Sequence, residues 1–350
     1  MKAWILLTII LLSSACVAPT TGEPTYPSLP EGIPPVFDND ISTPGDVDMP
    51  TDTSIMNERV RQDEIKITGR GVKYLIEPSK IMSGGPPKDG IPSIDNPKFI
   101  SVEEADKWIQ DNELILAIIH KGVTRVYPLQ ILVWHEIVND EIAGDPLLIT
   151  YCPLCGSGIA FEGKIDGQRV EFGTSGKLYN SNLVMYDRKT DSYWTQIDGL
   201  AVVGPLAGTK LKPVSIDTVS WRDWKAAHPD SQVLSQDTGH ARPYGVDPYG
   251  NYYEDSFLLF PVENSDDRIH PKTQVFGIEI NGVYKAYKED DLKELGTITD
   301  RVNNVNIKLE RMSDGRVSVT NTDAGEEIVK EVDFWFAWYA FHPTTGLYER

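Results

Sequence analysis

The sequence predicts an α+β fold of predominantly antiparallel β-strands, arranged as meanders, with a few short helices and two related halves. Three observations lead to this prediction. Short segments with alternating polar and apolar residues recur between residues 147 and 197, and closely spaced turn residues separate them. Helix signals are few and short. A strand-turn-strand pattern appears twice along the chain.

The first predicted elements begin after residue 100. Ser101 and Glu104 have the spacing of a capping box, which predicts a short helix through Trp108. Two strands joined by a glycine turn follow, and an apolar run after Pro128 then predicts a buried helix. The strands are Ile115–Ile119 and Val123–Tyr127, and the helix is Leu129–Asn139.

A meander of short strands is predicted next. Beyond it, a helix begins near Ser220 and ends near His228, and residues 237–272, which are dense in Tyr, Pro, Asp and Gly, predict a long loop. The strands of the meander are Leu147–Tyr151, Ile159–Glu162, Arg169–Phe172, Leu183–Tyr186 and Ser192–Ile197.

The chain divides into a predicted first half, residues 62–236, and a second half, residues 237–350. The hairpin around Leu116 is echoed at a constant offset by the hairpin around Phe276, which favours two copies of one unit. A chance likeness between two hairpins is the alternative. The second half lacks cysteine and ends in an aromatic segment, residues 333–343, that predicts a strand.

The N-terminus predicts export. A charged start, an apolar run through Leu12 and small residues before Cys16 are typical of a signal peptide over residues 1–15, and the run is too short for a membrane-spanning helix. Cys16 is placed as in a bacterial lipobox, with Ser13 where leucine is usual, so we expect its lipidation. Residues 16–61 then form a tether rich in Pro, Thr and Asp.

These features predict a domain held at the outer face of a membrane or in the periplasm, or otherwise secreted. The net charge of −19 argues against nucleic acid as a partner and against adhesion to anionic lipid, so membrane contact is expected only through the lipid anchor. The charge is typical of a soluble surface, and an envelope protein partner is compatible with it.

The strongest chemical signal is Cys152-Pro153-Leu154-Cys155-Gly156. Cysteines at this spacing place both sulfurs on one side of a tight turn, where they can share a metal ion or form a disulfide. Pro153 favours the turn, and Gly156 tolerates a left-handed conformation after it. A second Cys-x-x-Cys, which a zinc ribbon needs, is absent from the sequence.

His135 is the third ligand that we expect, because its helix leads directly into the strand that carries Cys152. Two sulfurs and an imidazole suit copper first and zinc second. Met185 would add a thioether and favour copper, although a strand methionine is ordinarily part of the core. His228 and Asp187 rank below these candidates because their motifs are commonly structural.

Two other functions stay open. Cys-Pro-x-Cys also resembles a thiol-disulfide exchange motif, although the glycines after it do not favour the long helix of a thioredoxin fold. A structural disulfide in a non-catalytic scaffold that binds a partner protein or glycan is the third alternative. The segment Tyr179–Asn182, together with Tyr193, Trp194 and Gln196, lines a polar pocket near the thiols or forms only a turn and sheet edge. Signatures of serine hydrolases, zinc proteases and phosphate-binding loops are absent from the sequence.

Several long motifs occur in the chain: Trp134-His135-Glu136-Ile137-Val138-Asn139-Asp140, Thr150-Tyr151-Cys152-Pro153-Leu154-Cys155-Gly156, Lys177-Leu178-Tyr179-Asn180-Ser181-Asn182 and Gly204-Pro205-Leu206-Ala207-Gly208-Thr209. By these motifs the chain resembles, from about residue 70 to the C-terminus, the bacterial and archaeal family called domain of unknown function 3179. The resemblance implies an extracytoplasmic domain and no particular activity.

Overall fold

The computed structural model describes residues 64–350. The predicted signal peptide, Cys16 and the tether therefore lie outside the described residues. About 41% of the described residues are in strands and 14% are helical, which confirms the prediction of antiparallel β-structure with short helices. Within residues 64–350, no helix is long and apolar enough to cross a bilayer.

The strands are short throughout. Those of residues 64–236 are β1 Lys66–Ile67, β2 Lys73–Tyr74, β3 Met82–Ser83, β4 Phe99–Ile100, β5 Leu114–His120, β6 Val123–Pro128, β7 Ile137–Ile142, β8 Asp145–Cys152, β9 Ser157–Glu162, β10 Lys164–Ile165, β11 Gln168–Arg169, β12 Phe172–Tyr179, β13 Asn182–Asp187, β14 Tyr193–Thr195, β15 Leu200–Val203, β16 Pro213–Val214, β17 Asp217–Ser220 and β18 Gln232–Leu234. Those of the remainder are β19 Gln274–Ile280, β20 Val283–Lys288, β21 Thr297–Val302, β22 Val305–Arg311, β23 Val317–Asn321, β24 Glu326–Glu327, β25 Lys330–Phe334 and β26 Gly346–Leu347.

Five α-helices accompany the strands within residues 64–350. Four of them begin at the residue that follows the end of a strand. The helices are α1 Val102–Ala105, α2 Leu129–Leu132, α3 Trp221–Ala227, α4 Glu289–Leu295 and α5 Trp335–Phe341, and 3-10 turns lie at Pro78–Lys80, Pro153–Cys155 and Gly250–Tyr253. The capping box at Ser101 and Glu104 is present, and Ser220 caps α3 as predicted.

The strands form one two-stranded, three four-stranded, one five-stranded and one seven-stranded sheet within the described residues. The cysteine motif belongs to the sheet β16-β9-β8-β7, which we call the cysteine sheet. It packs beside the seven-stranded sheet β1-β2-β15-β14-β13-β12-β3, and the buried residues between the two include Cys152, Cys155, Met185 and Trp194. The thiols therefore lie in the core of the molecule.

Two predicted elements are wrong. The apolar run Leu129–Asn139 is helical only through Leu132, because Glu136 adopts a left-handed φ of 59° and strand β7 starts at the next residue. The aromatic segment near the C-terminus is the helix α5 and not a strand. Both segments are apolar on almost every side, and such runs carry no period that separates a buried strand from a buried helix.

Two of the sheets share one plan. In β17-β5-β6-β18 and in β25-β19-β20-β26, a central hairpin has an antiparallel strand on one side and a parallel strand on the other. In each, a tyrosine of the hairpin donates a hydrogen bond to an aspartate of the following strand: Tyr127 to Asp140 at 2.6 Å, and Tyr287 to Asp300 at 2.8 Å. Beyond each sheet a tryptophan packs against a histidine, Trp224 on His228 and Trp338 on His342, with ring centroids 4.1 Å and 4.2 Å apart.

Candidate functional site

The cysteine motif closes the hairpin of β8 and β9. Strand β8 ends at Cys152, Pro153 starts the 3-10 turn, and β9 begins at Ser157, which pairs with Cys152. Gly156 ends the turn with a φ of 59°, and a Cβ there would lie 2.8 Å from the ring of Phe334. Both facts require glycine, so the turn has a defined shape set by its own sequence and by strand β25.

The two sulfurs lie 3.0 Å apart, and both cysteines are free. Cys155 is fully buried and Cys152 is 2% exposed. The Sγ of Cys155 also lies 3.4 Å from the carbonyl oxygen of Ser181 and 3.4 Å from the amide nitrogen of Asn182. Cys155 is therefore held by polar groups of the neighbouring sheet as well as by its own turn.

Those polar groups belong to the hairpin turn between β12 and β13. Asn180 and Ser181 both have positive φ, 50° and 61°, as a two-residue hairpin turn of the primed type requires. The turn delivers the Ser181 carbonyl and the Asn182 amide to Cys155. The segment is thus a turn, and two of its residues, Ser181 and Asn182, also lie beside Cys155.

A buried amide network extends from this contact. Asn182 donates to the Oε1 of Gln196 at 2.7 Å, and Gln196 donates to the Oγ1 of Thr150 at 3.0 Å and approaches the Oγ of Ser157 at 3.3 Å. All four side chains are buried. Because buried amides are costly to leave unpaired, this network fixes the position of the strands that carry the thiols.

The long loop predicted for residues 237–272 covers the turn. Tyr252 donates from its hydroxyl to the carbonyl oxygen of Leu154 at 2.9 Å, inside the cysteine motif itself. Lys272 in turn donates to the carbonyl oxygens of Tyr252 and Phe257. A cavity of about 440 Å³ opens beside the turn, and its lining includes Tyr151, Gly156, Asp247, Tyr253 and Phe334.

The site is buried, and the pKa values of its groups are shifted as a result. Burial raises the pKa of the Cys155 thiol well above its usual range, and the neighbouring Cys152 adds to this effect while the Asn182 amide opposes it. Burial also raises the pKa of Asp333, on strand β25, to about 7. Cys155 is therefore a protonated thiol at neutral pH.

Both ring nitrogens of His135 have hydrogen-bond partners other than the thiols. Its Nδ1 donates to the carbonyl oxygen of Pro92 at 2.7 Å, and its Nε2 accepts from the hydroxyl of Tyr244 at 2.6 Å. Burial lowers the pKa of this imidazole to about 4, so it is neutral at pH 7. Among residues 64–350, no group of three or more His, Cys, Asp or Glu side chains is arranged to hold a metal ion.

The weaker candidates have structural contacts. Met185 is fully buried in the cluster that also contains both cysteines. His228 bonds Asp314 at 2.8 Å. Asp187 organises its own turn and accepts, among other bonds, one from the indole nitrogen of Trp194 at 3.0 Å.

The comparison with known proteins identifies the family. A family model described as "Protein of unknown function (DUF3179)" matches residues 88–326, more than two thirds of the chain. The chain belongs to this family. No curated protein and no solved structure matches the chain. The span shared with the DUF3179 family includes both cysteines and the strands that support them, and it ends before strand β25.

Two contributors to the site were not predicted from the sequence. Tyr252 reaches the cysteine motif from a loop about a hundred residues later, and only its position in an aromatic-rich loop hinted at a role. Asp333 gives no local signal at all, because a single aspartate in a strand reads as the polar side of an alternating pattern. In this DUF3179 protein the second half therefore supplies part of the surroundings of the thiols.

Proposed function

We propose that Cys152 and Cys155 form a redox-active pair that cycles between dithiol and disulfide. The observation that carries the proposal is the 3.0 Å approach of two free sulfurs across a rigid turn. Rotation about the side-chain bonds is enough to join them, whereas the other groups near Cys155 are a carbonyl and an amide. Two thiols that meet without further ligands favour exchange over metal coordination.

The reaction needs a partner of the disulfide class. Cys152, the more exposed of the two, attacks an external disulfide R–S–S–R, forms a mixed disulfide and releases one R–SH. Cys155 then attacks the mixed disulfide, closes the internal bond and releases the second R–SH. Two electrons pass from the cysteines to the partner, and their two protons leave on the released thiols. The cavity beside Tyr151 and Gly156 is the route of approach.

The location that we propose agrees with this chemistry. A signal peptide over residues 1–15 and a lipid on Cys16 would place the domain outside the cytoplasmic membrane, where disulfides form and persist. The pair would then be exposed to oxidants that a cytosolic protein rarely meets.

Thiol counting across a redox series tests the proposal. The protein is equilibrated in mixtures of oxidised and reduced glutathione, quenched with acid, alkylated and weighed by mass spectrometry, with Cys152→Ser as the matched control. We expect two alkylated sites to appear together in the reduced protein and to disappear together in the oxidised protein. A pair that stays reduced in every mixture would refute the exchange function.

Copper or zinc binding at Cys152 and Cys155 is the competing function, and the same preparation distinguishes it. About one equivalent of metal in the wild-type protein, absent from the Cys152→Ser variant, would favour it. To act as a third ligand, His135 would have to give up its hydrogen bonds to Tyr244 and Pro92. If a His135→Asn variant binds as much metal as the wild-type protein, His135 is not a ligand. A disulfide that resists reductant would favour the structural role.

We also propose that the two halves are copies of one unit. The strand pairings support this: Val219 lies opposite Ile115 as Asp333 lies opposite Val275, and the two hairpins and the two flanking strands each repeat at a fixed offset. The segments Trp221-Arg222-Asp223-Trp224-Lys225-Ala226-Ala227-His228-Pro229 and Trp335-Phe336-Ala337-Trp338-Tyr339-Ala340-Phe341-His342-Pro343 share their tryptophans, histidine and proline at the same spacing.

A further inference from the structure

Asp333 is a buried acid without a hydrogen bond. Its side chain is fully buried, and neither carboxylate oxygen has a hydrogen-bond partner in the described part of the chain. An unpaired buried carboxylate costs several kcal/mol in a low-dielectric interior, so the group is expensive to keep unless it serves the protein in another way. Only the Ser157 hydroxyl lies near enough to lower its pKa, whereas Asp187 and Asp314 each accept several well-formed hydrogen bonds.

Asp333 lies next to the cysteine turn. Its strand, β25, packs against β9, the strand that leaves the turn. The following residue, Phe334, contacts Gly156 closely enough to exclude a Cβ there. The Ser157 hydroxyl is near enough to Asp333 to offset part of the effect of burial, and the charge of Asp333 contributes to the raised pKa of Cys155.

The sheet of the first half that shares this plan has a residue at the position equivalent to Asp333, and that residue is not acidic. Val219 has the register position in β17 that Asp333 has in β25. The turn between β22 and β23 of the second half contains Gly315, and a Cβ on Gly315 would lie 3.3 Å from the Cβ of Val219. The turn without sulfur therefore contacts a valine at this position, whereas the carboxyl group of Asp333 acts electrostatically on Cys155 of the turn with two sulfurs.

We infer that Asp333 is the proton acceptor of the Cys152–Cys155 pair. The inference rests on the exchange function proposed above. When Cys155 attacks the mixed disulfide, its proton passes to the carboxylate of Asp333, the bond between the two cysteine sulfurs forms, and the bond from Cys152 to the partner sulfur breaks. The departing thiolate takes the proton from Asp333 and leaves as R–SH, so the carboxylate is restored.

The protonation of Asp333 sets the pH range in which this step works. Burial raises its pKa to about 7, so the carboxylate is available above that pH and absent below it. Other charged groups act on this region, and burial and the charge of Asp333 raise the pKa of Glu331 well above its usual range. The groups near Asp333 or acting on these carboxylates are Cys155, Asp198, Glu279, Glu331 and Lys210.

Kinetics of ring closure test the assignment. The full chain is reduced, mixed with oxidised glutathione between pH 5 and pH 9, quenched with acid at intervals and alkylated, so that dithiol, mixed disulfide and internal disulfide are weighed separately. In the wild-type protein we expect the rate of the second step to fall below pH 7. In Asp333→Asn, which keeps the shape but cannot take a proton, we expect that step to be roughly 100-fold slower at pH 8 and to lose its inflection near pH 7.

Glu331→Gln, two residues away on the same strand, is the matched control and should retain the inflection. Asp333→Val, which copies the other half, should behave as Asp333→Asn does. A wild-type rate without an inflection near pH 7, a result that needs no variant, would overturn the assignment. So would an Asp333→Asn protein that closes its disulfide at the wild-type rate. If the wild-type protein forms no internal disulfide at all, the exchange function itself fails, and the role of Asp333 fails with it.

Discussion

The buried carboxyl of Asp333 should make the stability of the protein depend on pH in a direction opposite to that of most carboxylates. Its folded-state pKa is about 7, against an ordinary value of 3.8. Because the folded-state value is raised, the contribution of this group to stability is fully present below the ordinary pKa and is lost as the pH rises through about 7. Asparagine at this position does not ionise and should remove that dependence.

The magnitude follows from the size of the rise. A change in pKa from 3.8 to about 7 corresponds to about 4 kcal/mol of unfolding free energy once the pH is well above 7. About 3 kcal/mol of that falls between pH 5 and pH 8. The Asp333→Asn variant should therefore gain stability relative to the wild-type protein over this interval. The buried asparagine amide costs about 1–3 kcal/mol at every pH. The gain therefore appears as a change with pH in the stability difference between variant and wild type, and the variant need not be the more stable protein at any one pH.

Urea unfolding followed by tryptophan fluorescence measures the effect, in reducing buffer from pH 5 to pH 8. The quantity of interest is the difference in unfolding free energy between variant and wild type at each pH. If this difference stays constant within about 0.5 kcal/mol over the interval, Asp333 is not a buried ionising group, because ionisation of such a group must change it. The measurement is independent of thiol chemistry, and so it tests the burial of Asp333 whatever the cysteines do.

Three further predictions concern neighbouring features. Gly156→Ala should lower the unfolding free energy by about 2–4 kcal/mol in urea titration, because a Cβ would meet Phe334 in a left-handed conformation, whereas Gly250→Ala, with a similar φ in open space, should cost only about 1 kcal/mol. Burial acts to raise the pKa of Asp314, but hydrogen bonds from a histidine and an arginine outweigh it and lower that pKa. The ionised carboxylate therefore stabilises the fold above about pH 4, and this stabilisation is lost in acid. In thermal melts, Asp314→Asn should destabilise the protein at pH 7 and not at pH 3. Asn182→Ala should lower the free energy of unfolding by about 2–3 kcal/mol in the same melts, because it leaves the partners of Asn182 in the amide network unpaired. It should also raise the pH needed to alkylate Cys155, because the Asn182 amide lowers the pKa of that thiol. An unchanged pH dependence of alkylation would contradict this effect of the amide.

Local signals in the sequence predicted much of the fold. The capping box at Ser101, the hairpin of β5 and β6 and the helix after Ser220 are confirmed because each depends on residues close together in the chain. The helix over Leu129–Asn139 failed at Glu136, whose left-handed conformation no neighbouring glycine announces. The segment 333–343 failed because an apolar stretch buried on all sides has no distinctive period.

The candidate site was predictable only in part. The spacing of Cys152 and Cys155 was enough to predict that their sulfurs lie close together, because a tight turn determines their separation. The hydrogen bond between His135 and Tyr244 could not be predicted, because Tyr244 belongs to the loop of residues 237–272 and the packing of that loop has no local signal. Asp333 is about 180 residues from the motif, and only the packing of β25 against β9 brings it close.

The contact between Phe334 and Gly156 also bears on how this chain can be divided. Cutting the protein at the boundary near residue 236 would remove Tyr252 from the carbonyl of Leu154 and Phe334 from the glycine of the motif. The thiols of Cys152 and Cys155 would then be more exposed to solvent in the isolated first portion, where they would oxidise or form intermolecular disulfides. Heterologous expression of fragments is therefore a poor route to the chemistry of this protein, and the intact chain is the unit to purify.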